Sequence, residues 1–235
     1  MIERSKILAI IPARGGSKGI PGKNHRNILD KPLISWTIEH ALSIDIIDEI
    51  IVTTDDEIIK NISMEYDITV INRPKYLAED HSLVVDAIRH VLETFHKKVN
   101  PNDIIVMMEP TALYRRKSDT IASIELVSNN SVFNSAATFR SALLHPERAW
   151  VIKNNQATTF IKDAAVWRST NRQALTSVYQ PLGTYVFRVS DIGEFIVLSG
   201  KVGAILVPGE YCIDLDDEYD MLRAEIILKD LIKNE

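Results

Sequence analysis

The sequence predicts an α/β fold in which a mostly parallel sheet is wrapped by helices. Three observations carry this reading. Apolar runs of strand length alternate with amphipathic segments of helix length through the first half of the chain. The first run, Ile7-Leu8-Ala9-Ile10-Ile11, passes directly into a glycine-rich stretch. A length of 235 residues, with 46% apolar and 25% charged residues, suits one such domain with a sizeable core.

Taken in order, Ile7 to Ile11 is a buried strand too short for a helix. Lys31-Pro32-Leu33 leads into a helix whose Ile34, Ile38, Ala41 and Leu42 share a face, with Pro32 suiting its start and Trp36 assigned to the core. Asp48 to Thr54 is a second strand; a short helix through Ile58, Ile59 and Ile62 leads to a third at Ile68 to Ile71. Ser82 is the predicted N-cap of a helix carrying Val84, Ala87, Ile88, Val91, Leu92 and Phe95. Asp103 to Met108 is another buried strand. Ser118 is predicted to cap a helix with Ile121, Ile124 and Leu126, and Ser131 to Thr138 reads as a strand.

From Arg140 to Pro181 the rhythm breaks for about 40 residues, too long for a simple loop in a compact domain. This segment, with Trp150 and Trp167, reads as an inserted subdomain of short strands that packs against another subunit. Strands resume at Gly183 to Phe187 and Ala204 to Val207. An acidic knot, Asp214-Leu215-Asp216-Asp217-Glu218-Tyr219-Asp220, precedes a closing helix through Leu222, Ile226, Ile227 and Leu231. Residues 1–235 are therefore expected to form one domain, with 140–181 inserted.

Several function classes are disfavoured. No apolar run approaches the 18 residues of a membrane span, and the N-terminus enters the first strand without a signal-peptide pattern. Cys212, the one cysteine, excludes an intrachain disulfide and a cysteine metal cluster, so the expected compartment is the cytoplasm. A net charge of −5 argues against nucleic acid as partner. His40, His81, His90 and His145 have no metal-ligand spacing and read as structural or surface residues.

Against that acidic background, Ile11 to Asn24 holds four glycines and two prolines, and Arg14, Lys18, Lys23 and Arg26 follow one another with no acidic residue between them. A strand feeding a glycine-rich cationic loop is suited to phosphate, through backbone amides and basic side chains. Neither common phosphate loop fits. The dinucleotide fingerprint would need glycine at Arg14. The P-loop would need glycine at Ser17 and Ser or Thr at Asn24. What remains is a loop offering Arg14, Lys18 and Lys23 to a polyphosphate, with Ser17 as hydroxyl donor and Asn24 as a further nucleotide ligand or turn residue.

The run Ala13-Arg14-Gly15-Gly16-Ser17-Lys18-Gly19-Ile20-Pro21-Gly22-Lys23-Asn24 resembles the N-terminal signature of the CMP-sialic acid synthetases (acylneuraminate cytidylyltransferases). Asn72-Arg73-Pro74 with Leu77-Ala78-Glu79-Asp80, Arg172-Gln173 and Asp214-Leu215-Asp216 are similar to later motifs of that family, in the same order. The resemblance implies a three-layer, Rossmann-like nucleotidyltransferase fold of GT-A type, with the insertion as a dimerisation element. It implies a cytidylyltransferase that activates an acidic α-keto sugar (nonulosonic, sialic-type or a related 3-deoxy sugar) with CTP, releasing pyrophosphate. The partners are then CTP, the acidic sugar and a second copy of the chain, and the cofactor Mg²⁺ (or Mn²⁺).

By the same resemblance, Ala13, Arg14, Ser17, Lys23, Asn24, Arg73 and Ser82 form the nucleotide set, with Arg14 and Lys23 catalytic. Glu109, Arg172 and Gln173 would meet the sugar, and Asp214 and Asp216 would hold the metal. Asp217, Glu218 and Asp220 suit a solvated helix start instead. Two departures stand out: Glu109 replaces the family's Gln, and Leu182-Gly183-Thr184-Tyr185-Val186 replaces its Asn-Gly-Ala-Ile-Tyr. A carboxylate facing a sugar pocket costs desolvation unless paired. Glu109 is therefore expected to meet Arg115, Arg172, or a cationic or hydroxyl-rich part of a non-sialic substrate. Rival readings are a transferase using another NTP or a phosphorylated sugar, and a nucleotide-binding homologue without catalysis.

Overall fold

The computed structural model describes residues 5–17, 19–95, 99–129, 132–162, 175–192 and 197–233. Lys18, Trp167, Arg172 and Gln173 lie outside the described residues. The central sheet has seven strands among the described residues. In chain order they are β1 (Ile7–Pro12), β4 (Glu49–Thr54), β5 (Thr69–Asn72), β6 (Ile104–Met108), β7 (Ser135–Ser141), β10 (Tyr179–Arg188) and β11 (Val202–Leu206). Their spatial order is β11-β7-β10-β6-β1-β4-β5. Every pairing is parallel except those of β10, which runs antiparallel to both β6 and β7.

The continuous apolar runs of β1 and β6 follow from burial on both faces. Ile7, Ala9 and Ile11 of β1, with Ile104, Val106 and Met108 of β6, enter one core. That core is closed by α1 (Leu33–Leu42), α2 (Glu57–Met64) and α4 (Lys117–Ser128) through Ile34, Ile38, Ile59, Ile124 and Val127. Leu8, Ile10, Ile105 and Met107 face the opposite core, closed by α3 (Val84–Thr94) through Val85, Ile88 and Val91. The period-2 alternation of side chains thus splits one apolar run between two cores and makes three layers.

A third cluster fixes the glycine-rich loop. Ile20, inside that loop, is fully buried with Ile28, Leu33, Leu113, Ile213 and Leu215 against Met221, Ala224 and Leu228 of α5 (Glu218–Lys233). Two short strands, β2 (Asn27–Ile28) and β3 (Lys31–Pro32), pair antiparallel beneath it. Within 140–181, β7 continues to Ser141 and β10 begins at Tyr179, so the main sheet enters the segment from both ends. Between them lies a hairpin, β8 (Trp150–Lys153) and β9 (Gln156–Thr159). Its turn residues Asn154 and Asn155 both have positive φ, 50° and 62°, matching a primed two-residue turn.

Several local expectations are corrected. The N-cap of α3 is Leu83, and the Ser82 hydroxyl instead donates to the Tyr76 carbonyl at 2.7 Å, one residue short of the helix start. The cap of α4 is Arg116, which leaves Ser118 inside the first turn. The strand expected from Ser131 starts at Ser135 and runs past Thr138. Leu222 and Ile226 are exposed, at 61% and 65%; α5 buries Met221, Ala224 and Leu228 because it packs on a loop cluster rather than the sheet. Trp36 is half-buried at the rim of that cluster, with Lys31 Nζ 4.1 Å from its ring centroid.

Removing the Ile20 side chain opens a cavity in the third cluster. Ile20→Ala is expected to lower stability by about 2–5 kcal/mol in urea unfolding. Ile58→Ala, on an exposed face of α2, should change it by no more than about 0.5 kcal/mol. Equal effects would contradict an anchoring role for Ile20.

Candidate active site

Strands β1, β4, β5 and β6 are parallel, so their carboxyl ends share one edge of the sheet. The chain adds β4 and β5 on one side of β1, then returns to place β6 on the other. Loops leaving β1 and β6 diverge at this point, where open α/β sheets form ligand crevices. Here a cleft of about 300 Å³ is lined by Arg14, Ser17, Lys23, Asn24, Arg73, Ser82 and Glu109. Residues far apart in sequence meet because each belongs to a connection that leaves the carboxyl end of a strand. Ala13 does not line the cleft: its side chain is buried and its N–H donates to the Thr53 carbonyl at 3.0 Å.

Each side chain has a structural tether. Arg14 donates to Asp80 Oδ1 at 3.2 Å and to the Ala78 carbonyl at 3.4 Å; the ion pair is partly exposed. Asn24 Nδ2 donates to the Arg14 carbonyl at 2.9 Å, while its buried Oδ1 has no hydrogen-bond partner. The Gly15 N–H donates to Asp55 Oδ1 at 3.0 Å. Arg73 is buried, not a surface arginine. It donates through Nη2 to the Thr53 carbonyl at 2.7 Å, and burial lowers its pKa to about 10 against the opposing pull of Asp55.

The acidic knot divides into two parts. Asp217 Oδ1 accepts from the Asp220 N–H at 2.9 Å, and Asp220 Oδ2 accepts from the Asp217 N–H at 3.2 Å. This reciprocal pair satisfies two donors at the start of α5, as a capping box does. Glu218 pairs with Arg26. Asp214 and Asp216 lie upstream. Leu113 N–H bonds the Ile213 carbonyl and Leu215 N–H bonds the Thr111 carbonyl, both at 3.1 Å, seating Asp214 beside the segment that follows Glu109. Lys23 Nζ donates to the Leu215 carbonyl between the two aspartates. Gly19 lies so close to the Asp216 carbonyl that a Cβ there would collide with backbone.

No group of three His, Cys, Asp or Glu side chains suited to a metal occurs among the described residues. Asp214 and Asp216 form a two-carboxylate oxygen set, which fits a hard divalent cation that takes its remaining ligands from water and substrate phosphates. They also line a second cavity of about 310 Å³ with Arg140, Cys212 and Asp220, so the 214–216 segment joins the two spaces. The Cys212 thiol donates to the Pro208 carbonyl at 3.3 Å, and burial pushes its pKa up, as suits an inert filler.

Glu109 does not take Arg115 in the way anticipated. Arg115 is half-buried and spends its donors on the backbone carbonyls of Glu109 and Gly183, Thr184 Oγ1 at 3.1 Å and Thr37 Oγ1 at 3.3 Å. The Glu109 carboxylate instead accepts from Tyr185 Oη at 3.4 Å. Its pKa is raised, chiefly by burial, with nearby Asp214 and Asp216 adding to the shift and Arg115 opposing it. Gly183, at φ 58°, lets the β10 backbone pass against Ala112 and Arg115, where a side chain would collide. Asp80, Asp55 and Tyr185 carry no assigned role in the sequence reading; the available signal was their position at the ends of predicted strands or in the loops that follow.

The cytidylyltransferase family model matches residues 8–125. A pseudaminic acid cytidylyltransferase of Campylobacter jejuni subsp. jejuni is 32% identical over 230 residues, covering 95% of this chain and 97% of that protein. A CMP-N,N'-diacetyllegionaminic acid synthase of Legionella pneumophila is 36% identical over 122 residues, covering 52% and 53%. Among solved structures, CMP:2-keto-3-deoxy-manno-octonic acid synthetase complexed with CTP superposes with a TM-score of 0.71 at 17% identity, covering 97% of this chain and 100% of that one. That last likeness bears on the fold alone.

The raised pKa of Glu109 has a stability consequence. Folded protein holds this proton to higher pH than the unfolded chain does, so the contribution is full below the ordinary glutamate value and declines as pH rises through the folded one. Glu109→Gln is therefore expected to raise the thermal midpoint at pH 7, with the gap closing towards pH 4. A variant less stable than wild type at pH 7 would show that the carboxylate is favourably held.

Proposed function

Because the chain belongs to the cytidylyltransferase family, we propose that it transfers the cytidylyl group of CTP to an acidic α-keto sugar of nonulosonic or related 3-deoxy type. One observation carries the reading: Arg14, Ser17, Lys23, Asn24 and Arg73 line a single cleft whose Lys23 is bonded between Asp214 and Asp216. The anomeric oxygen bonds the α-phosphorus, its proton passes to water, and the bond to the bridging oxygen of pyrophosphate breaks. Such a step needs alignment and neutralisation of charge more than covalent help.

In this reading Arg14, Ser17 and Lys23 hold the triphosphate. Arg14 exchanges Asp80 for phosphate oxygens; a half-exposed ion pair is worth only about 0–1 kcal/mol, so the exchange opposes binding little. Lys23 neutralises charge on the leaving pyrophosphate. Asn24 Oδ1, unpartnered at the cleft wall, accepts from the nucleotide, with Arg73 and Ser82 completing that side. Ser82 keeps its oxygen free to accept while its hydrogen serves Tyr76. Asp214 and Asp216 would hold Mg²⁺ (or Mn²⁺), which when bound supplies charge neutralisation on phosphate oxygens. Glu109 lines the cleft and, with Arg172 and Gln173, would meet the acceptor sugar. We further propose a homodimer built on the 140–181 segment, supported by its exposed Leu143, Trp150, Ile152 and Phe160, and a cytoplasmic setting where CTP is available.

The reading is tested by pyrophosphate release from each NTP with Mg²⁺ across a panel of α-keto acid sugars. Release with CTP and at least one nonulosonic acid is expected, and Lys23→Ala should lower kcat by about 10²- to 10³-fold. Release with ATP or UTP alone would move the chain to another donor, and none with any pair would point to a homologue without catalysis. Sedimentation of the intact chain should give twice the monomer mass, and Ile152→Asp should halve it if the hairpin carries the interface.

A further inference from the structure

Two arginines of the cleft are set by a strand end that does not itself line it. Thr53 and Thr54 end β4 and Asp55 follows, and chain from both neighbouring strands converges on them. The Thr53 carbonyl accepts from the Ala13 N–H at 3.0 Å and from Arg73 Nη2 at 2.7 Å. The Thr54 carbonyl accepts from the Arg73 N–H at 2.7 Å. Asp55 Oδ1 accepts from the Gly15 N–H at 3.0 Å, so Arg14 lies between two backbone groups anchored to one strand end.

Asp55 is thus an anion set behind a site suited to anions. By charge alone it opposes a phosphate chain, and its removal would tighten nucleotide binding. Its contacts carry the opposite sign. Burial lowers the pKa of Arg73, Asp55 opposes that shift and Arg14 adds to it. Asp55 is therefore a counter-charge that helps two guanidinium groups stand close together. Without the bond from Asp55 the Gly15 backbone gains freedom, and Arg14 turns with its neighbour. A guanidinium grips two phosphate oxygens at once only while its direction is fixed.

We propose that Asp55 is a positioning residue for the nucleotide donor: it pins the Gly15 amide and balances Arg73, which keeps Arg14 and Arg73 directed into the cleft together. The proposal rests on the cytidylyl-transfer reading and gives that site a residue that touches no substrate. The anchors differ in kind. The bonds to the Thr53 and Thr54 carbonyls are indifferent to side-chain substitution on β4, whereas the Gly15 bond depends on one carboxylate. A bond of the same type joins β1 and β4 at the opposite edge of the sheet, where Asp48 Oδ2 accepts from the Ile7 N–H at 2.8 Å. Asp48 therefore separates what a carboxylate does for this strand pair from what Asp55 does for the cleft.

Calorimetric titration of CTP with Mg²⁺ compares wild type, Asp55→Ala, Asp55→Asn and Asp48→Ala. Pyrophosphate release with pseudaminic acid, N-acetylneuraminate or 2-keto-3-deoxy-manno-octonate is measured beside it. Asp55→Ala is expected to weaken CTP binding about tenfold or more and to raise KM for CTP alike, with KM for the acid within about twofold. Asp55→Asn keeps an oxygen for the Gly15 N–H and should recover part of the loss. Asp48→Ala should lower the thermal midpoint while CTP binding stays within about twofold of wild type. CTP bound as well or better by Asp55→Ala overturns the proposal, because charge then decides. An equal loss in Asp48→Ala overturns it too, by making the effect one of strand pairing. If Asp55→Ala does not fold, Asp55→Asn is judged alone: a loss of about threefold supports the role and none overturns it. If wild type binds CTP but turns over none of the acids, cytidylyl transfer fails and the titrations still judge Asp55. If wild type binds no CTP, both readings end.

Discussion

The seating of the β1 loop on the backbone of residues 213–216 is the contact on which the rest of the site depends. Ile20 drops into a small core shared with Ile213, Leu215 and α5, Gly19 passes the Asp216 carbonyl with no side chain between, and Lys23 bonds the Leu215 carbonyl. A glycine-rich loop alone would sample many conformations, because glycine loses more freedom on ordering than any other residue. Here hydrophobic burial at one residue orders the loop, and two basic side chains keep their positions as a result. The same contact holds the two aspartates, whose flanking Leu215 is their share of that core.

Electrostatics are partitioned around this contact. The β1 loop is basic and the 214–220 segment acidic, and at close range they are joined by a lysine on a carbonyl rather than by a lysine on a carboxylate. Asp217 and Asp220 satisfy each other's backbone donors, and Glu218 takes Arg26. The knot's charge is thereby divided into structural carboxylates at the helix start and two that stay available upstream.

The layer architecture was legible because β1 and β6 are unbroken apolar runs, and only a sheet covered on both faces buries such runs. One wall of the cleft was legible as a group because Arg14, Ser17, Lys23 and Asn24 fall within a dozen consecutive residues with a distinctive pattern. What escaped is non-local. Whether Ser82 or Leu83 caps α3 turns on a hydroxyl finding the Tyr76 carbonyl, and periodicity carries no trace of that. The face of α5 was read only in part: Ile227 and Leu231 pack on the cluster as expected, but Leu222 and Ile226 are exposed, because the helix docks on a loop cluster whose shape favours Met221, Ala224 and Leu228. Arg140 was hidden because the predicted end of β7 fell at Thr138, which assigned the arginine to the insertion rather than to a strand terminus facing the crevice.

The antiparallel course of β10 has an architectural consequence. Since β10 enters the sheet where β6 and β7 leave it, the segment between β7 and β10 departs and returns at the crevice edge, beside Glu109 and Gly183. The loop from β1 and the strands β4 and β5 lie on the far side of β6. On the proposed reading, the half that would grip the donor and the half that would meet the acceptor are thus separate stretches of chain meeting at one shared wall. If the proposed roles hold, sequence drift or exchange in the second stretch would alter which acceptor is taken while the triphosphate grip stayed intact, a modular arrangement.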